Sequence, residues 1–202
     1  RVDFKIPANI QYRVFDKKIN FFEKLLAGLE EISTPYTAIC SDDDFMTVNG
    51  AVKSVEFLEN NKDYSVAHGD YYEFPIQKSS KDVFYWKKEQ NAYFSIEDET
   101  AVGRFNGQFN NYQVTTFSAV YHTDIMKKIY TNALENTDDY IFGEVLPVLL
   151  TLVYGKMKHL DLFYFARRKD TSSAGHTLLN MYDFIVQGTF EKKFERFREC
   201  LI

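Results

Sequence analysis

Three consecutive carboxylates, Asp42, Asp43 and Asp44, follow the apolar run Tyr36 to Cys40 after a single serine. That run reads as a short strand of the kind buried on both faces of a sheet. Carboxylates a few ångströms apart repel one another, and partial burial makes their ionised forms costlier still. A hard divalent cation removes that penalty, and Mg²⁺ or Mn²⁺ prefers such oxygen ligands. The position matters too, because ligands of open α/β sheets bind outside the carboxyl ends of the strands. An EF-hand loop beginning at Asp42 is excluded, since Met46 and Thr47 stand where Asp or Asn and then Gly are needed. An aspartyl-phosphate motif is weakened, because Met46 takes its Thr position and Thr47 comes one residue late. The plain alternative is a solvated acidic turn that caps the next helix.

The surrounding sequence alternates strands with helices, which indicates an α/β sheet domain. Val2 to Ile6 reads as a short strand ending at Pro7. Ile19, Phe22, Leu25, Leu26, Leu29 and Ile32 carry helical spacing over Lys17 to Ile32, and Ser33, Thr34 and Pro35 stop it. A second helix is expected over Gly50 to Glu59, with Asn49 near its start, then a strand over Tyr64 to His68. Val83–Trp86 and Ala92–Ile96 read as a hairpin, and Glu97–Asn111 as loop or short helix. Val114 to Tyr121 is strand-like, and Thr123 is expected to cap a helix from Asp124 to about Leu134. Asp138 to Tyr154 reads as an apolar helix ended by Gly155, His159 to Phe165 as a last strand, and Thr177 to Ile202 as helical. One domain accounts for all of it.

Composition narrows the partners. The 202 residues carry a formal net charge of −5, which argues against a nucleic-acid backbone as the main partner. An acidic protein that binds an anionic diphosphate needs a cation between them. Cys40 and Cys200 make no disulfide framework and no metal-type spacing, so a reduced, cytoplasmic setting is expected. Val145 to Tyr154, the longest apolar run, falls short of the roughly 18–20 residues that cross a bilayer. The chain opens with Arg rather than Met, which suggests a piece of something longer.

The segment Thr34-Pro-Tyr-Thr-Ala-Ile-Cys-Ser-Asp-Asp-Asp-Phe resembles the strand and acidic motif of family-2-like glycosyltransferases, in a bacterial branch with a triple Asp. Phe57-Leu-Glu-Asn-Asn61 and Tyr64-Ser-Val-Ala-His-Gly69 are similar to the same group. Phe142 to Gly155 resembles the helix that carries its catalytic base, with Gly143-Glu144 where the usual pattern has Glu-Asp. The likeness spans roughly Tyr36 to Gly175. It implies a GT-A-like open mixed sheet flanked by helices, lacking here the N-terminal strands that hold the nucleotide base.

The resemblance also implies roles. Asp42 and Asp43 would contact the nucleotide-sugar donor, Asp42 and Asp44 would hold Mg²⁺ or Mn²⁺, and Glu144 would be the catalytic base. Asp138 and Asp139 are rival bases whose plainer role is the acidic start of a helix. Arg168 and Lys169 would pair with donor phosphates and His176 would add a metal ligand, with Arg104 a further phosphate or acceptor contact. The acceptor would be a glycan or glycolipid, with peripheral membrane contact if it is lipid-linked. Two alternatives stay open: an inactive sugar-nucleotide-binding or scaffold domain of the same fold, and an unrelated metal-dependent phosphoryl-transfer enzyme.

Overall fold

The computed structural model of the chain describes residues 7–75, 87–88, 94–110, 115–169, 185–186 and 188–201. The expected strand at Val2–Ile6, most of the expected hairpin including Trp86, and His176 lie outside them. The architecture is mixed α/β. Its longest strands, β3 (Tyr64–Pro75) and β6 (Lys156–Lys169), run parallel from Tyr64↔Lys156 to Pro75↔Lys169. β5 (Val120–His122) lies antiparallel on the other side of β3, and β1 (Tyr36–Thr37) pairs antiparallel with β5. β2 (Phe45–Met46) pairs antiparallel with β6, giving the order β1-β5-β3-β6-β2, and β4 (Lys87–Lys88) pairs with the outer part of β3.

Helices cover the sheet on both faces. α2 (Val48–Asn60) lies against β3 and β6, and its Leu58 is buried with Ala67, Val120 and Tyr164. A Cβ on Gly50 would stand 2.9 Å from the Tyr164 Cα, so only glycine allows α2 this close to β6. α4 (Thr123–Asn136) and α5 (Tyr140–Tyr154) enclose the larger core with Val66, Tyr121 and Met157, and α1 (Phe21–Glu30) packs on α4. α3 (Ala101–Asn110) and α6 (Phe190–Glu199) both flank α5. No helix among the described residues is long and apolar enough to cross a membrane.

Several ends differ from the sequence expectation, each for a local reason. β1 is a half-buried pair of residues at the sheet edge, not a strand buried on both faces. α1 starts at Phe21 because Asn20 and Glu23 form a reciprocal capping box, each backbone N–H meeting the other's side chain at 2.9 Å. Thr47, not Asn49, caps α2; its hydroxyl accepts from the Gly50 N–H and donates to the Phe163 carbonyl. Thr123 is the first helical residue of α4, and His122 holds the cap position without a side-chain bond. Gly155 ends α5 in extended backbone, not a left-handed turn. It is required because a Cβ there would meet the Ser65 nitrogen at 2.7 Å and the Asp63 carbonyl at 2.9 Å.

The β3–β6 pair carries an unusual buried group. Between His68↔His159 and Asp70↔Phe163, β3 advances two residues while β6 advances four. Beside this bulge His159 Nε2 sits 2.9 Å from Asp70 Oδ1, with the His68 ring 5.5 Å from that of His159. His68 is 0% exposed, and burial pushes its imidazole pKa down to about 4 from 6.5. The unfolded chain therefore takes up a proton below pH 6.5 that the folded chain refuses. Stability falls from pH 6.5 toward pH 4 and then levels, by roughly 3 kcal/mol for this one group. Urea denaturation across that window measures the slope, and His68→Gln is expected to remove this component of it.

Candidate functional site

The acidic turn is anchored through its last member. Asp42 and Asp43 are exposed, whereas Asp44 is half-buried and its N–H donates to the Ser41 carbonyl at 3.2 Å. Asp44 Oδ1 accepts the backbone N–H of Arg168 at 2.9 Å, so the turn is stapled to the end of β6. Pairing of Phe45 with Ala166 and Met46 with Phe165 brings these partners together. Burial pushes the Asp44 carboxyl above its ordinary range, and Asp43 adds to this. The Arg168 N–H, the Arg167 guanidinium and the Ser41 side chain pull it back without cancelling the rise. The Cys40 thiol is pushed up by burial and by Asp44 and Asp43, so it stays protonated near neutrality and is a poor nucleophile.

Glu144 lies on the first turns of α5, half-buried. Burial raises its carboxyl too, and the one charge that opposes the rise is again Arg167. Asp44 and Glu144, a hundred residues apart in sequence, thus share the field of a single guanidinium. Arg167 itself is exposed on β6.

The other expected site residues divide cleanly. Asp139 caps α5, its Oδ1 accepting the Phe142 N–H at 2.8 Å with its Oδ2 3.8 Å from Lys193 Nζ. Asp138 pairs with Lys193 at 3.0 Å, and that ammonium lowers its carboxyl pKa. Both rival bases therefore have structural roles at the start of α5. Arg104 is 7% exposed, and its guanidinium donates to the carbonyls of Leu152, Asp98 and Glu99 at 2.7, 2.8 and 2.9 Å. It fastens α3 to the last turn of α5 instead of facing a ligand. Arg168 joins the acidic turn through its backbone, Lys169 sits opposite Pro75 at the strand end, and His176 lies outside the described residues.

Sequence reasoning passed over Arg167 in favour of its two neighbours. Side chains alternate across a strand, so consecutive basic residues project differently, and which one serves the acidic turn depends on register. The signal was the basic run itself; the register was absent from it. As a metal centre the donor chemistry fits, with three hard carboxylates on one turn. Among the described residues, however, no three acidic, His or Cys side chains converge as a ready-made cage.

Two stability outcomes follow. Arg104→Ala strands three carbonyls and lowers stability by about 3 kcal/mol in chemical denaturation, and Arg104→Lys recovers only part because an ammonium cannot span all three. Asp44 and Glu144 bind protons more tightly in the folded state, so their charges oppose folding once both are ionised. At pH 7 Asp44→Asn and Glu144→Gln melt no lower than the parent, and that advantage shrinks as acid protonates the carboxyls. Asp44→Ala loses the Arg168 contact as well and costs about 1 kcal/mol relative to Asp44→Asn.

The sequence matches no protein-family model, and no curated protein is significantly similar to it.

Proposed function

We propose that this chain is the catalytic part of a metal-dependent glycosyltransferase with a GT-A-like sheet. It would move a sugar from a nucleotide-diphosphate donor to a hydroxyl acceptor with inversion, in the cytoplasm, during bacterial glycan or glycolipid synthesis. The observation that carries the reading is the Arg167 field shared by Asp44 and Glu144. That supports assigning the metal-type and the base-type carboxylate of the proposed site to the neighbourhood of one strand end. Two carboxyls held above their ordinary range at some cost to the fold are characteristic of a working site.

Asp42 and Asp44 would hold Mg²⁺ or Mn²⁺, which supplies charge neutralisation for the departing diphosphate. Donor phosphate oxygens and water would supply the ligands that the turn does not, as is usual for Mg²⁺ at nucleotide sites. Asp43 adds negative charge to the turn, and Arg168 and Lys169 stand at the strand end to meet phosphate oxygens. Glu144 Oε accepts the acceptor hydroxyl's proton as that oxygen bonds to the anomeric carbon. The bond from that carbon to the diphosphate oxygen breaks, and the nucleoside diphosphate leaves with the electron pair. Burial makes Glu144 a stronger base than a solvated glutamate, and the Arg167 charge opposes that rise.

Calorimetry with Mn²⁺ and a panel of sugar nucleotides tests the reading. Binding is expected to require the ion and to vanish in Asp44→Ala. Glu144→Gln is expected to bind normally and to lose about 10²–10⁴ in turnover. Donor binding that is indifferent to chelator would sink the proposal. Arg167→Met removes the charge that lowers Glu144, so the acid limb of kcat/KM shifts to higher pH; an unmoved limb would separate Arg167 from the base.

A further inference from the structure

A concave feature lies at the entry of β1, whereas the acidic turn follows that strand's exit. A cleft of about 440 Å³ opens where Pro35 leads into β1, where β5 hands over to α4, and beside the turn that precedes β3. Lys62, Lys127 and His122 line it, with Asp124 the one carboxylate among the described residues of the lining. Lys62 is exposed and has no ion-pair partner among the described residues. Lys127 is fixed at the rim, its Nζ donating to the Ile32 carbonyl at 2.8 Å and the Glu30 carbonyl at 3.4 Å. The cations are not arranged around Asp124, whose nearest basic partner is Lys128 at 4.0 Å, one helical turn on.

The floor of the cleft is the start of α4, a helix of 14 residues with no side-chain cap. The Thr123 N–H donates to the Pro35 carbonyl, which leaves the next amides of the first turn and the positive end of the helix dipole toward the cleft. A helix start of this kind attracts anions, though by itself it is common. Two further observations separate this one. Thr123, which also lines the cleft, is 6% exposed, and its Oγ1 has no hydrogen-bond partner among the described residues. A buried hydroxyl without a partner is costly, and an oxyanion at the helix start supplies the acceptor it lacks. In addition, burial first and then the Lys62 charge depress the His122 imidazole, against a smaller opposing effect of Asp124. Lys62 and His122 thus line one cleft in which Asp124 only partly offsets their positive field.

We infer that this cleft binds a small phosphoryl oxyanion, held by Lys62, His122, the first amides of α4 and the Thr123 hydroxyl. The lining donors come from a helix end, a strand end and a loop. The inference is independent of glycosyl transfer, since none of its residues belongs to the site around Asp44. His122 is its reporter, because an anion beside it favours the protonated ring.

Inorganic phosphate is titrated into the whole chain while the His122 ring resonances are followed across pH by NMR. A saturable change with a rise in the His122 pKa is expected. Lys62→Gln, a change at an exposed position, weakens binding about tenfold, and Asp124→Asn strengthens it several-fold by removing the one opposing charge. No saturable response to phosphate, or an equal response in Lys62→Gln, overturns the proposal. Vesicles of phosphatidylcholine with and without phosphatidic acid form the second arm. Sedimentation with phosphatidic acid that Lys62→Gln abolishes assigns a lipid phosphate, and a phosphate response without sedimentation assigns a free one.

Discussion

The parallel pairing of β3 with β6 is the constraint on which the rest depends. It starts where Gly155 lets α5 turn tightly into β6 beside Asp63 and Ser65, and no side chain fits there. The Lys156 N–H continues it by donating to the Asp63 carbonyl at 2.9 Å. The Ser65 hydroxyl reinforces the junction by donating to Thr151 in α5 and to Lys156 in β6. From this origin the two strands run together to Pro75 and Lys169, and the position along β6 decides what each residue meets. Tyr164 meets Gly50 and sets the depth of α2, while the Arg168 N–H meets Asp44 and closes the acidic turn. A slip of one residue would turn Arg167 to the other side and separate it from its two carboxylates.

Both of those carboxylates are held against their intrinsic preference. A surface aspartate or glutamate is ionised at no cost, and a merely structural one is usually pulled lower by its partner, as Asp138 is by Lys193. Asp44 and Glu144 go the other way because burial outweighs the single guanidinium they share. At neutral pH their ionised forms cost the fold stability, although the Asp44 bond to the Arg168 N–H still holds the turn. In the proposed reading, a cation beside Asp44 or a reacting hydroxyl beside Glu144 would turn that deficit into use. His68 is a different case: its buried imidazole stays neutral within the sheet and opposes folding only in acid.

Much of this was legible in the sequence because it is local. Apolar spacing located α1, α2, α4 and α5, and the alternation of strands with helices gave the mixed α/β class. The acidic turn was legible as a cluster, and Asp139 as an acidic helix start. The remainder depended on partners distant in sequence. Arg104 looked available beside Gly103 in a polar stretch, and only the fold supplies the Leu152 carbonyl 48 residues away that holds it. The start of α2 moved from Gly50 to Val48 because Thr47, its cap, also reaches the Phe163 carbonyl, a bond that composition cannot announce. β1 looked like a central strand because its residues are apolar, yet it sits at the sheet edge, where burial is only partial.

The competition between Asp139 and Glu144 for the role of base shows how structure ranks candidates that sequence leaves level. Both lie at the start of one apolar helix, and either has the chemistry. Asp139 is already occupied: one oxygen caps α5, and the other lies near Lys193 of α6. A carboxylate tied in this way loses a helix cap when it is protonated, so proton transfer through it would loosen the helix that positions it. Glu144 is one turn further on, with no cap to give up and with burial raising its proton affinity. α6 also supports this helix start, because Phe190, Phe194 and Phe197 gather around Phe142. The residue that can change protonation without disturbing its own support is the better candidate for the proposed base, and on this helix that residue is Glu144.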